Sequence, residues 1–152
     1  MVQQGPLVLD DGDRRFGVRA PQQFGVVVRQ SDVPDLAFAQ MLLADGTLGS
    51  ARIVSRAAVE AMTTNQLSAE QLLTCSPDGS QGWGLGVGVQ LRRTGPARSV
   101  GTYGWDGGLG SSWANDPAEE LVGILLTNQA WTSPAPPAVH QDFWICAYGA
   151  LA

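Results

Sequence analysis

The stretch GTYGWDGGLGSSW, residues 101–113, sets five glycines among a tyrosine, two tryptophans and one acid. A packed core has little use for that mixture. Glycine lets another group approach the backbone closely, so a glycine run flanked by Tyr103 and Trp105 predicts a backbone wall beside a ligand. At the end of a strand, such a wall offers N–H groups to a developing oxyanion, the largest electrostatic lever in acyl transfer. The same composition also fits a tight β-turn between two strands, with Trp105 as an apolar plug.

Other catalytic constellations fail on residue type. A Ser-His-Asp triad needs a histidine, and the only one is His140, on a predicted last helix one turn from Trp144, where a surface or boundary position is expected. No G-x-S-x-G elbow accompanies it. The nine basic side chains are all arginine, which excludes a Schiff-base lysine, a P-loop lysine and a Ser-Lys pair within these residues. Gly82, Gly84, Gly86 and Gly88 alternate without the G-x-G-x-x-G step of a dinucleotide site. Asp10, Asp11 and Asp13 lack EF-hand spacing and read as a solvated turn, as do Glu119 and Glu120. Cys75 and Cys146 lie far apart without ligand-like neighbours, so buried or idle thiols are expected. Neither a metal nor a cofactor is expected.

The glycine stretch needs elements to hold it. The segment PLVLDDGDRRFGV alternates around Asp11-Gly12 as a hairpin would, and FGVVV follows as a short apolar run. Ser31 or Asp32 can cap a helix that takes Pro34 in its first turn, turns Leu36, Ala39, Leu42 and Leu43 inward and ends at Gly46. Ser55 caps a second helix with Val59 and Met62 inward, and Ser68 to Gln71 has capping-box spacing. In GWGLGVGVQL the glycines take one face of a strand, while Trp83, Leu85, Val87, Val89 and Leu91 take the other. A glycine face marks close approach of another element. Three further strands follow, SVGTYGW, GLGSSWAND and ELVGILLTNQ. A final helix shows Val139, Phe143, Cys146, Ala147 and Ala150 as its stripe. The fold class is therefore α+β, an antiparallel sheet meander with flanking helices.

Composition bounds the partners. At 152 residues, with 44% hydrophobic and 15% charged side chains, the chain fits one globular domain. A net charge of −5 disfavours nucleic acid and anionic membrane surfaces. No apolar run approaches a membrane span, and MVQQGPLVLDDGDRR lacks the apolar stretch of a signal peptide, so a cytoplasmic location is expected.

Taken in order, LAFAQMLLADGTLGSARIVSRAAVEAMTTNQ, GWGLGVGV and YGWDGGLGSSWANDPAEELVGILLTNQ resemble the C-terminal part of the serine β-lactamase-like hydrolases, which include class C β-lactamases, D-alanyl-D-alanine peptidases and esterases. The likeness runs from about Leu36 to about Gln129. It implies a partial β-lactamase/transpeptidase-like fold in residues 31–152, after a poorly matching segment 1–30. Trp105, Asp106 and Gly107 match the family's third motif, Lys-Thr-Gly or His-x-Gly. By resemblance Tyr103, Trp105, Asp106 and Gly107 contact substrate, and the Gly108 N–H forms half of an oxyanion hole.

The implied substrate is a small-molecule ester, amide or β-lactam, and Trp105 in place of a cation leans it toward an ester or amide. The family's Ser-x-x-Lys nucleophile and Tyr-x-Asn motif are absent from these residues. The chain by itself is therefore expected to be inactive or nearly so. Two alternatives stay open: a non-catalytic binding or interaction module with a Gly-Trp groove, and a purely structural sheet-helix unit. The family's sheet is completed by more N-terminal elements, so exposed apolar surface, an unpaired sheet edge and self-association are also expected.

Overall fold

The computed structural model describes residues 34–96 and 98–151, with side chains from Leu36 onward, and before them the backbone of three strands, β1 (Val8–Asp10), β2 (Arg15–Ala20) and β3 (Gln23–Val28). Helix α1 (Pro34–Leu43) follows, and then a two-stranded ribbon, β4 (Thr47–Leu48) with β5 (Ala51–Arg52). Helices α2 (Arg56–Thr63) and α3 (Ala69–Cys75) lead into β6 (Gln81–Trp83), β7 (Gly88–Gln90), β8 (Tyr103–Asp106), β9 (Ser112–Asp116) and β10 (Leu121–Leu126). Helix α4 (Ala138–Gly149) comes last. The main sheet has eight strands in the order β1-β2-β3-β10-β9-β8-β7-β6, with every pair antiparallel.

Strand alternation sorts the side chains of the sheet into two cores. Along β10, Leu121 and Leu125 face α4, where they cluster with Phe143, Trp144 and Ala147. Val122 and Ile124 face the other way, onto Leu36 and Ala39 of α1. A third cluster joins Met41 and Leu42 of α1 and Val59 of α2 to Val87, Val89 and Tyr103. The sheet is thus the middle of three layers.

Local signals placed the helices well. Ser55 accepts from the Ala58 N–H at 3.1 Å, and Ser68 and Gln71 close a reciprocal capping box. The expected caps of α1, Ser31 and Asp32, lie outside the described residues. None of the described helices is long and apolar enough to cross a membrane. Cys75 and Cys146 are both free and exposed.

Three expectations are corrected. The glycine-alternating segment is a hairpin, β6 to β7, rather than one strand. The chain reverses between Gly84 and Val87, whose backbones share a 2.9 Å hydrogen bond, and Gly86 takes φ +98° there, a conformation that favours glycine. The reversal breaks the alternation, so Val87 and Val89 are buried while Leu85 is exposed. Close approach does occur, because a Cβ on Gly84 would stand 1.7 Å from the Met62 carbonyl oxygen.

Second, the inward face of α4 is His140, Phe143, Trp144 and Ala147, and Cys146 is exposed. His140, at 2% exposure, is core rather than boundary. Third, β10 is an interior strand, and the edges of the sheet are β1 and β6. β3 pairs with β10 from Phe24↔Leu126 to Val28↔Val122, so the segment read as poorly matching joins the sheet. At the other end, Asn65 and Gln66 bond the Trp83 backbone at 3.1 and 2.7 Å and blunt the edge at β6.

Candidate active site

The site is built where β8 runs out of partners. Gly88 of β7 pairs with Gly104, and the chain before it turns away through the hairpin, so no β7 pairing extends to Trp105. On the other side β8 stays paired with β9 through Trp105↔Trp113 and Asp106↔Ser112. The two strands are joined by a tight turn in which the Gly107 N–H donates to the Ser111 carbonyl at 2.7 Å and the Gly110 N–H to the Gly107 carbonyl at 2.9 Å. Gly110 takes φ +111°. Among the described residues no acceptor takes the Gly108 N–H, which belongs to an exposed residue with open space over its Cα.

Trp105 stands beside this turn, 50% exposed. Its ring lies against Trp83, centroids 4.8 Å apart, on the sheet face shared with Tyr103 and Trp113 by alternation. An exposed Trp105 backed by the partly buried Trp83, at the mouth of a turn with a free N–H, is a place where an acyl chain could rest while its carbonyl oxygen is polarised.

The other two residues expected at this site are elsewhere. Tyr103 is buried in the α1-side core, and its hydroxyl accepts from Asn115 Nδ2 at 3.0 Å. Burial pushes its pKa above the usual phenol value, against the opposing bond from Asn115. It anchors β8. Asp106 points to the α4 face, where its carboxylate accepts from Arg98 at 3.0 Å and from the Ser112 hydroxyl. Arg98 stacks 4.6 Å from the Trp144 ring. On that face Asp106, Arg98, Gln90, His140 and Trp144 line a concavity of about 330 Å³, separated by the sheet from Trp105. The motif residues therefore divide: Trp105, Gly107 and Gly108 converge, whereas Asp106 fastens the strand from behind.

Sequence reasoning also missed the residues that fix the site. Asn115 is fully buried and donates to the Ala39 carbonyl of α1 at 2.7 Å. Asp116 accepts the Ser99 N–H at 3.0 Å and the Tyr148 O–H at 2.5 Å, which ties β9 to the loop before β8 and to α4. Burial works against the charged carboxylate, but bonds from Tyr148 and Ser99 outweigh it and hold the pKa below the usual range. In sequence these two look like a polar strand end beside Pro117. Only their alternation, Asn115 toward α1 and Asp116 toward α4, hints that both are interior.

The described residues form three layers, an antiparallel sheet with helices on both faces and a glycine turn at the end of an inner strand. A family model described as Beta-lactamase matches residues 12–141, and the chain belongs to that family. The match begins within the segment that resembled the family least. Two curated relatives, Protein Rv1367c of Mycobacterium tuberculosis strain H37Rv and Uncharacterized protein MT1414 of strain CDC 1551, are each 37% identical over 101 residues. That alignment takes in 60% of this chain but 25% of theirs, so the chain spans about a quarter of the length of these relatives.

Solved structures agree on the fold. An LovD6 mutant of simvastatin synthase from Aspergillus terreus aligns with a TM-score of 0.58 at 20% identity, over 75% of this chain and 32% of its own. EstCE1, described as a hydrolase with promiscuous acyltransferase activity, aligns at 0.54 and 21% identity, over 97% of this chain and 39% of its own.

Proposed function

We propose that this chain is the C-terminal portion of a serine β-lactamase-like hydrolase and supplies the oxyanion-hole strand for acyl transfer on a small ester or amide. One observation carries the reading: the unpartnered Gly108 N–H in an exposed turn beside the Trp105–Trp83 pair. The N–H polarises the substrate carbonyl and meets the negative charge of the tetrahedral intermediate. Trp105 packs the acyl group, and Gly107, with no side chain of its own, lets substrate lie along the strand end. Chemistry also needs an activated nucleophile. With no lysine in these residues, a Ser-x-x-Lys pair must come from outside them, and without it only the small catalysis of an oxyanion hole remains. The partial coverage of the relatives supports that division.

The experiment replaces the matched segment of EstCE1 with this chain and follows p-nitrophenyl butyrate hydrolysis. Turnover should appear and should fall by about 10²–10³ in kcat on Gly108→Pro, the usual cost of an oxyanion donor. Turnover indifferent to Gly108→Pro would remove the site from the turn.

A second reading has one observation in its favour. Because β3 already covers β10, the chain's own residues extend the sheet on that side out to β1, which supports a self-standing binding module. In either case, exposed Phe38, Leu85, Trp105 and Leu109 offer apolar surface for self-association or for a covering domain.

A further inference from the structure

We propose that helix α4 is the positioning element of the oxyanion turn, with His140 and Trp144, one helical turn apart on its buried face, holding that turn at the Gly110 carbonyl and at its base. The inference rests on the reading of Gly108 given above, but the clamp itself is a structural claim with its own test.

At the base of the turn, Trp144 Nε1–H donates at 3.0 Å to the Oγ of Ser112, the first residue of β9. The Ser112 hydroxyl donates in turn to Asp106, the last residue of β8. Within the turn, His140 Nε2 stands 3.2 Å from the Gly110 carbonyl oxygen. A carbonyl oxygen only accepts, so Nε2 carries the proton. The same carbonyl accepts from the Thr127 hydroxyl at 2.9 Å, which fills its second lone pair. Next door, the Gly108 carbonyl accepts from the Trp131 N–H at 2.8 Å.

Both carbonyls are therefore held from the side of α4 and the segment before it, while the Gly108 N–H stays unpartnered. No side chain could replace Gly110, because a Cβ there would stand 2.5 Å from Thr127 Oγ1 and 2.8 Å from the Gln129 carbonyl. His140 Nδ1 and Trp131 Nε1 are both buried without a partner, and their rings meet edge to face at 5.7 Å. With the proton on Nε2, Nδ1 is left as an acceptor on the ring that meets Trp131.

The test is native-state hydrogen exchange by NMR on the intact chain. It compares the Gly110 and Trp131 amides, whose hydrogen bonds close and brace the turn, with Val122 to Leu125 of β10 as internal reference. His140→Leu should speed exchange at Gly110 and Trp131 by about fivefold to tenfold, the scale of one hydrogen bond, and leave β10 unchanged. His140→Gln, which keeps a donor at a similar reach, should restore slow exchange. Unchanged exchange in His140→Leu would overturn the proposal. So would a loss spread evenly over β10, because His140 would then hold the fold and not the turn. If the exchange result holds while Gly108→Pro leaves hydrolysis by the EstCE1 chimera intact, the clamp stands and the oxyanion reading falls.

Discussion

Asn115 is the side chain through which α1 grips the strand pair that ends in the site. It donates to the Ala39 carbonyl at 2.7 Å and to the Tyr103 hydroxyl at 3.0 Å, and accepts from Trp113 Nε1–H at 3.2 Å. Asn115→Leu keeps the volume and removes all three. The costs differ by position. Tyr103 is 4% exposed, so its hydroxyl is stranded without water, at about 1–3 kcal/mol. The bond to Ala39 adds about 1 kcal/mol, and that to half-buried Trp113 adds less. The sum is about 3 kcal/mol, or a fall in melting temperature of roughly 6–12 °C for a domain of this size.

Most of that cost is an orphaned group, so it should be recoverable. Tyr103→Phe in the same chain deletes the stranded hydroxyl, and the double variant should be about 1–2 kcal/mol more stable than the sum of the single effects. Urea unfolding followed by tryptophan fluorescence measures all four corners of the cycle. Additivity within about 0.5 kcal/mol, with Asn115→Leu costing less than about 1 kcal/mol, would refute the view that this buried amide joins α1 to β8.

Two further outcomes follow from buried contacts. The Asp116 pKa is lowered from 3.8 by bonds that outweigh its burial, so its contribution to stability is complete above that value and is lost as pH falls through the lower folded value. Tyr148→Phe removes one of those bonds, and the melting-temperature gap between it and the parent chain should narrow in acid; a gap constant with pH would contradict the assignment. Gly123→Ala would set a Cβ 2.4 Å from the buried Trp144 ring, which its bond to Ser112 keeps in place. Urea unfolding should show a loss of about 1–3 kcal/mol, whereas Gly95→Ala, with nothing within 4 Å, should be nearly neutral.

What the sequence showed depended on how local its causes were. Caps act over three or four residues, so Ser55 and the Ser68–Gln71 box were legible, and the apolar run ELVGILLTNQ marked a central strand. The GWGLGVGVQL segment misled because the same alternating letters also suit two short strands whose phase shifts across a turn, so that Trp83 pairs with Gly88 and Gly82 with Val89. Positive φ at Gly86 leaves no mark in the pattern. The resemblance placed Trp105, Gly107 and Gly108 together, as the structure does, but gave Tyr103 and Asp106 the same role. Alternation along β8 could have parted Asp106 from Trp105. The burial of Tyr103 and of His140 depended on partners far along the chain, Asn115 in one case and the Gly110 carbonyl in the other. No periodicity records such partners.

The central claim is that this chain brings an oxyanion turn and no nucleophile. Hydrolysis of p-nitrophenyl butyrate by the unaltered chain alone, set beside the EstCE1 chimera that contains it, tests both halves. The account predicts release near the buffer rate from the chain alone and turnover from the chimera that depends on Gly108. Saturable turnover by the chain alone at an enzymatic rate would contradict it, because a nucleophile would then lie within these 152 residues.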